Sequence, residues 1–88
     1  MFEWDEAKRA ATLAQRSLDF RDAIAAFDGR PALHAQAHRD GETRFATVAV
    51  IGARHFTVIW TWRGPHRRII SFRRARRDEE RAYCALFG

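Results

Sequence analysis

The feature that most constrains this fold is a change of side-chain periodicity at Ala32. From there on, side chains alternate in steps of two, and short turn sequences interrupt the alternation at regular intervals. The predicted strands are residues 32–38, 44–51, 55–63 and 67–74. The predicted turns are Arg39-Asp40-Gly41, Gly52-Ala53-Arg54 and Gly64-Pro65-His66. Because strands joined by tight turns pair side by side, the pattern predicts a four-stranded antiparallel meander.

Helical periodicity flanks this strand region on both sides. Residues 4–16 are predicted as a first helix with Asp5 as its candidate N-cap, and residues 20–27 as a second helix after Asp19. Residues 76–87 are predicted as a third helix with acidic residues in its first turn. The expected apolar face of the first helix is Trp4, Ala7, Ala11 and Ala14. With 88 residues, we expect a single α+β domain spanning residues 1–88.

The positive charge of the chain is carried almost entirely by arginine. Basic residues outnumber acidic ones by 16 to 11, and Lys8 is the only lysine. A guanidinium is a planar fork that binds phosphate oxygens in pairs and stacks on bases, which an ammonium does not do. The excess of arginine therefore favours a nucleic-acid partner, although a GC-rich genome or an acidic protein partner is an alternative explanation.

Several other classes of protein are disfavoured. Cys84 is the only cysteine, so neither an internal disulfide nor a zinc knuckle is expected. The histidines at 34, 38, 55 and 66 match no common metal-binding spacing, and we predict no metal or cofactor. No Gly-rich phosphate loop or Ser/His/Asp set is evident. The chain has neither a signal-peptide pattern nor a membrane-spanning apolar run, so we expect a cytoplasmic protein without membrane contact.

The loop between the last two strands decides which arginines share a face of the sheet. If Gly64, Pro65 and His66 form this loop, Arg63 lies opposite Arg67. One face then carries Phe56, Val58, Trp60, Trp62, Arg68, Ile70, Phe72 and Arg74, and is expected to be core. The other carries Thr57, Ile59, Thr61, Arg63, Arg67, Ile69, Ser71 and Arg73. Its three arginines are predicted to bind phosphate, the alternative being a solvated surface of arginines.

Six segments resemble, in order and spacing, those of the BrnT toxin family. They are Phe2-Glu3-Trp4-Asp5-Glu6-Ala7-Lys8, the helix from Phe20 to Phe27 before Asp28, Gly41-Glu42-Thr43-Arg44-Phe45, Thr61-Trp62-Arg63, and Arg68-Ile69-Ile70-Ser71-Phe72-Arg73-Arg74-Ala75 followed by Glu80-Arg81-Ala82-Tyr83. The resemblance covers nearly the whole chain. It implies a RelE-like fold and a ribonuclease toxin of a type II toxin–antitoxin pair that inhibits growth. It also implies a BrnA-like antitoxin partner in a hetero-oligomer, through which alone the toxin would meet DNA.

The resemblance also implies site residues. It maps the catalytic arginines onto Arg63, Arg73 and Arg74, with Tyr83 as a further catalytic candidate. The predicted RNA-binding residues are Lys8, Arg16, Arg67, Ser71 and Arg76. For metal-independent attack of the 2′-hydroxyl on phosphorus, the proton-transfer candidates are Tyr83, His66 and Glu42, which the sequence does not rank. Trp60, Trp62 and Phe87, if exposed, are candidate anchors for an antitoxin, the alternative being that they belong to the core.

The chain departs from the family pattern at the end of the first helix. Most members carry Lys-His-Gly where this sequence has Gln15-Arg16-Ser17, so a histidine capable of proton transfer is replaced by arginine. Phe72 also stands where the family has alanine, and we expect it to point into the core. The alternative hypothesis is therefore a catalytically degenerate module that binds RNA or an antitoxin without cleaving. A DNA-binding factor is disfavoured because no helix-turn-helix spacing is present.

Overall fold

A computed structural model describes residues 1–88 as an α+β fold with three α-helices and a five-stranded mixed sheet. The strand order is β1-β5-β4-β3-β2; β2 to β5 form the predicted antiparallel meander, and β1 lies parallel to β5. The elements are β1 Phe2–Trp4, α1 Glu6–Arg16, α2 Phe20–Ala23 followed by a 3-10 turn Ile24–Phe27, β2 Ala32–Arg39, β3 Glu42–Ile51, β4 Arg54–Arg63, β5 His66–Arg74 and α3 Arg77–Phe87.

The fifth strand, β1, ends at Trp4, the predicted first residue of the N-terminal helix. Asp5 is the helix cap, and its carboxylate accepts hydrogen bonds from the backbone N–H groups of Ala7 and Lys8 at 2.8 and 3.3 Å. An N-cap residue has extended rather than helical backbone, so the residues before it are free to pair with a strand. The prediction that the helix begins at Trp4 is wrong for this reason, because Trp4 pairs with Ile69 of β5.

The hydrophobic core lies between α2 with its 3-10 turn and one face of the sheet. Its helical side is Phe20, Ala23 and Ala26, and its sheet side is Ala49, Val58, Trp60, Ile69 and Phe72. Asp19 caps α2 as predicted, but the helix tightens to 3-10 geometry at Ile24 and does not continue to Phe27 as an α-helix. Phe72 is 1% exposed, which confirms the expectation that it points into the core.

Helix α1 contributes little to this core. None of its residues is buried, and the predicted apolar positions Ala7, Ala11 and Ala14 are exposed. The helix instead runs along the part of β5 that β1 leaves unpaired, where Arg16 Nη1 donates a hydrogen bond to the Phe72 carbonyl at 3.2 Å. Helix α1 therefore packs against the edge of the sheet rather than filling the interior.

All three hairpins have two-residue loops, one residue shorter than predicted. Strand β4 ends with Arg63 paired to His66, so the predicted pairing of Arg63 with Arg67 is wrong. The loop residues are Gly64, at φ 57°, and Pro65. A positive φ at the first loop position is the requirement of a type II′ turn, whose twist matches that of the flanking strands. The chemistry of this Gly-Pro pair therefore explains the shorter loop.

A β-bulge in β5 then restores the predicted alternation. Ile59 pairs with Ser71 and Trp60 pairs with Ile69, so Ile70 has no partner. From Ser71 onward the side chains lie on the predicted faces. Between the loop and the bulge the two faces are exchanged: Ile69 is core, Arg67 lies beside it, and Arg68 points to the opposite side.

Helix α3 packs on one end of the opposite sheet face. Tyr83 is 6% exposed, and its ring lies 5.1 Å from that of His55 in an edge-to-face arrangement. The Thr57 hydroxyl donates to Glu79 at 3.0 Å, which ties the start of the helix to β4. None of the three helices has the length and apolar character needed to cross a membrane.

Candidate functional site

Helix α3 covers only one end of the sheet face on which it packs, and leaves uncovered the end nearest the Gly64-Pro65 loop. We call it the open face; it comprises Arg44 and Ala46 of β3, Ile59, Thr61 and Arg63 of β4, and Arg68, Ile70 and Ser71 of β5. Adjacent strands place these side chains in rows, with Thr61 beside Arg68 and Ile59 beside both Ala46 and Ser71. The rows form two neighbouring hollows, which share Arg44 and Ile70.

The hollow nearest the loop, the hairpin-end hollow, has a volume of about 270 Å³. Four cationic side chains and two carboxylates surround it. It is lined by Asp5, Lys8, Glu42, Arg44, Thr61, Arg63, Arg68, Ile69 and Ile70. Cations on three different strands and on α1 therefore face one small volume, as the recognition of an anion requires.

The cations of this hollow differ in whether they already contact a carboxylate of the protein. Arg68 donates to Glu3 at 2.8 Å, and Arg44 Nε lies 3.5 Å from Glu42 Oε1. Arg63 and Lys8 are exposed and pair with no carboxylate. Because Arg63 has no competing partner in the protein, its guanidinium is free to bind a phosphate oxygen pair.

The second hollow, the helix-end hollow, has a volume of about 520 Å³ and reaches the start of α3. It is lined by Ala37, His38, Arg39, Arg44, Phe45, Ala46, Ile59, Ile70, Ser71, Arg73 and Arg76. Four of these residues are arginines, and none is a carboxylate. Ser71 and Arg76, two of the predicted RNA-binding residues, lie here.

Arg73 is held by a carboxylate rather than free for substrate. Its two Nη atoms donate to the two Glu79 oxygens at 2.7 and 2.9 Å, and the side chains of both residues are 19% exposed. The guanidinium of Arg73, with additional hydrogen bonds from the Arg76 backbone and Thr57, lowers the pKa of Glu79 to about 2. The hydrogen bond to Glu79 in turn raises the pKa of Arg73. This ion pair therefore clamps α3 onto β5.

Arg63 and Arg73 share the predicted face but do not converge. Arg73 pairs with Thr57, six residues before Arg63 on β4, a separation of about 20 Å along the strand. Arg63 lines the hairpin-end hollow and Arg73 the helix-end hollow. The two arginines therefore lie at different positions along a basic surface.

Arg74 and Arg16 lie around the edge of β5, in a third hollow of about 520 Å³ that we call the α1-end hollow. It is lined by Arg16, Leu18, Arg54, Phe56, Arg73 and Arg74. Arg74 lies 5.7 Å from the centre of the Phe56 ring. Three predicted site residues therefore meet here, but no carboxylate, histidine or lysine accompanies them.

Arg67 and Tyr83 line none of these hollows. The Arg67 guanidinium carbon lies 4.5 Å from the centre of the Phe27 ring and 4.9 Å from the ring centres of Trp60 and Trp62. The predicted grouping of Arg67 with Arg63 is thus wrong, because the two-residue loop turns Arg67 to the aromatic side. The Tyr83 hydroxyl donates to the Pro31 carbonyl at 3.3 Å, at the end of the sheet far from Arg63.

We expect Arg67→Ala to lower the free energy of unfolding by about 1–2 kcal/mol, because it removes a cation from three aromatic faces. RNA affinity should change less than about twofold, since a basic side chain contributes to RNA binding only where the phosphate backbone passes. Urea denaturation and fluorescence anisotropy with labelled RNA measure the two effects. Arg68→Ala, one residue away on the open face, should weaken RNA binding and leave the free energy of unfolding nearly unchanged. Normal stability with weak RNA binding in Arg67→Ala would contradict this assignment.

Sequence reasoning missed Arg44 and Arg68 as site residues. Arg68 was assigned to the core face by the three-residue loop, and the Gly-Pro pair, read as a type II′ turn, would have corrected this assignment. Arg44 precedes Phe45, which pairs with Trp60, so it lies next to Thr61. Nothing in its local sequence distinguishes it from other strand arginines, because both faces of β3 are largely apolar.

A family model described as "Ribonuclease toxin, BrnT, of type II toxin-antitoxin system" matches residues 4–79. The chain belongs to the BrnT family. The matched segment contains every residue that lines the three hollows. Membership in the BrnT family makes RNA the substrate class and a protein antitoxin the partner class. A search of curated proteins found no match to the chain.

Proposed function

We propose that this BrnT-family chain is a metal-independent endoribonuclease that binds the scissile phosphate in the hairpin-end hollow. One observation carries the proposal: among the three hollows described above, this one alone combines the unpaired Arg63 with a lysine, Lys8, and a carboxylate, Glu42. Cleavage of RNA by its own 2′-hydroxyl needs stabilisation of phosphate charge and two proton transfers. These side chains supply both requirements.

Phosphate stabilisation is assigned to Arg63 and Arg44. They project from neighbouring strands that are paired along most of their length, so little reorganisation is needed when charge develops on the phosphate. Preorganised donors of this kind contribute about 3–4 kcal/mol each to lowering a barrier. Thr61 lies between the strands' cations, but its hydroxyl donates to the Thr43 carbonyl at 2.7 Å, so we assign it a structural role.

Proton transfer is assigned to Glu42 and Lys8. Of the three candidates from the sequence, Glu42 lines the hairpin-end hollow, whereas His66 and Tyr83 do not. The Glu42 carboxylate accepts the proton of the 2′-hydroxyl as its oxygen bonds to phosphorus. The bond from phosphorus to the 5′-oxygen breaks, and that oxygen takes a proton from the Lys8 ammonium. The products are a 2′,3′-cyclic phosphate and a 5′-hydroxyl.

We further propose that a BrnA-like antitoxin neutralises the toxin by covering the open face. Trp62 and Phe87 are 49% and 46% exposed, but Trp62 lies beside Arg67 on the other side of the sheet and Phe87 ends α3. An antitoxin that used them as anchors would therefore extend beyond the open face. Trp60 is 4% exposed and belongs to the core. The RelE-like relationship, a cytoplasmic location and DNA contact only through the antitoxin stay predictions.

Wild-type protein should cleave labelled RNA in the presence of EDTA and leave 2′,3′-cyclic phosphate ends, because protein cations rather than a metal stabilise the phosphate. Gel analysis of the products, with Glu42→Gln as the matched variant, measures this. Glu42→Gln should cleave about a hundredfold more slowly or worse. Loss of wild-type cleavage on chelation, restored by magnesium or manganese, would contradict metal independence.

A second candidate function is a degenerate toxin that binds RNA without cleaving it. Arg16 favours it, because it occupies the family's histidine position and its Nη1 is already bonded to the Phe72 carbonyl. This function predicts RNA binding without cleavage by the wild type, and recovery of cleavage in Arg16→His. Wild-type cleavage that is unchanged in Arg16→His would exclude it.

A further inference from the structure

The helix-end hollow has an apolar floor inside a basic rim. Ala46, Ile59 and Ile70 form the floor and are all partly exposed. Arg39 and Arg76 stand on the rim. Aliphatic side chains that lie together in a hollow offer a ligand an apolar surface to cover.

A β-bulge places a polar side chain beside this floor. Strict alternation after the buried Ile69 would put Ile70 and Phe72 on the open face and turn Ser71 inward. Because Ile70 has no partner on β4, Ser71 pairs with Ile59 and joins Ile70 on the open face. Bulges commonly re-aim side chains next to functional sites, and here the bulge adds the Ser71 hydroxyl to the hollow beside Arg44.

We propose that the helix-end hollow is a nucleobase subsite, in which a base next to the cleaved phosphate lies flat on Ala46, Ile59 and Ile70. This inference rests on the proposed function and adds the substrate feature that its site recognises. The hollow shares Arg44 and Ile70 with the hairpin-end hollow, and the rows of Ile59 and Thr61 are about 7 Å apart. A base on this floor and a phosphate in the hairpin-end hollow therefore belong to neighbouring positions of one strand.

The chemistry of the hollow fits a base better than a second phosphate alone. A flat ring buries the aliphatic floor, while rim arginines bind the adjoining phosphates or stack on the ring. The polar groups among the lining residues other than the arginines are Ser71 and His38. Two such groups hold too few hydrogen-bonding atoms to distinguish all four bases, so the subsite should accept any of them.

The test compares two oligonucleotides of equal charge, a 2′-O-methyl RNA and its abasic counterpart, neither of which can be cleaved by its own 2′-hydroxyl. Wild-type protein should bind the base-containing strand about tenfold more tightly. In the double variant Ile59→Thr/Ile70→Thr this ratio should fall below about threefold while the salt dependence of binding is unchanged. Arg63→Ala should weaken both strands alike and reduce the salt dependence.

Two further variants control for misfolding of the double variant and for the effect of a similar substitution outside the hollow. Ala46→Gln fills the floor without removing an isoleucine, so it should reduce the ratio even if the double variant fails to fold. Val50→Thr makes a similar change on β3 outside the hollow and should leave the ratio unchanged. Equal binding of the two strands by wild type, or a ratio that survives both floor variants, overturns the subsite.

The measurement also separates this inference from the function on which it rests. A base-dependent ratio in a protein that cannot cleave RNA would overturn the ribonuclease proposal and leave the subsite. Cleavage at the hairpin-end hollow without a base-dependent ratio would overturn the subsite alone.

Discussion

Arg63→Ala is expected to lower the single-turnover rate of RNA cleavage by about a hundredfold or more. The removal of one preorganised donor to a developing oxyanion typically has an effect of this size. Arg63 is exposed and carries no ion pair, so its loss should hardly change the free energy of unfolding. Cleavage rates at saturating protein, with urea denaturation as the check on folding, measure both quantities.

Arg74→Ala is the matched control for this prediction. Arg74 is also mapped as catalytic by family resemblance, but it lies on the other side of the sheet over Phe56. We expect its loss to change the cleavage rate by less than about threefold. If Arg74→Ala abolished cleavage and Arg63→Ala did not, the active site would be the α1-end hollow, and the assignment of the hairpin-end hollow would be wrong.

Glu79→Gln is expected to lower the free energy of unfolding by about 2–3 kcal/mol at pH 7. The carboxylate accepts two hydrogen bonds from Arg73, one from the Thr57 hydroxyl at 3.0 Å and one from the Arg76 backbone at 2.8 Å. An amide cannot accept all of these hydrogen bonds and carries no charge to balance Arg73. The expected value is reduced from that of a fully buried pair because both side chains keep some contact with water.

The effect of Glu79→Gln should depend on pH. The pKa of Glu79 is lowered from its ordinary value of 4.5 to about 2, mainly by Arg73. A lowered folded-state pKa gives stability that is complete above about pH 4.5 and is lost as the pH falls towards 2. The urea midpoints of wild type and variant should therefore approach each other as the pH falls from about 5 to about 2.

Glu80→Gln serves as the control for this second prediction. Glu80 is exposed on the same helix, and its contact is with His55 Nδ1 at 3.5 Å. Its substitution should change the free energy of unfolding by about 0.5 kcal/mol or less. Most of the stability that depends on the Glu79 charge should be lost by about pH 2.5. A difference in free energy of unfolding between wild type and Glu79→Gln that stayed constant down to about that pH would contradict a role for the carboxylate charge.

The sequence predicted the elements of this fold better than their connections. Alternation identified the four strands of the meander, and Asp5 and Asp19 marked the helix starts correctly. These signals are local, because side-chain period and capping chemistry act within a few residues. The parallel strand β1 escaped prediction because its pairing with β5 joins residues more than sixty positions apart.

The candidate site depended on register, which the sequence specified only in part. A loop one residue shorter moved Arg67 to the aromatic side and brought Arg68 to the open face. The bulge at Ile70 then returned Ser71 and Arg73 to their predicted face. Neither a bulge nor the Arg73–Glu79 clamp has a sequence signature of its own, since each arises from contacts between separate elements.

The central claim is that RNA lies on the open face, and backbone amide chemical shifts of the protein with a non-cleavable 2′-O-methyl RNA test it most directly. We predict that the largest changes occur at Arg44, Thr61, Arg63 and Arg68. Largest changes at Arg16, Arg54 and Arg74, with the open face unaffected, would move the RNA to the α1-end hollow and contradict this account.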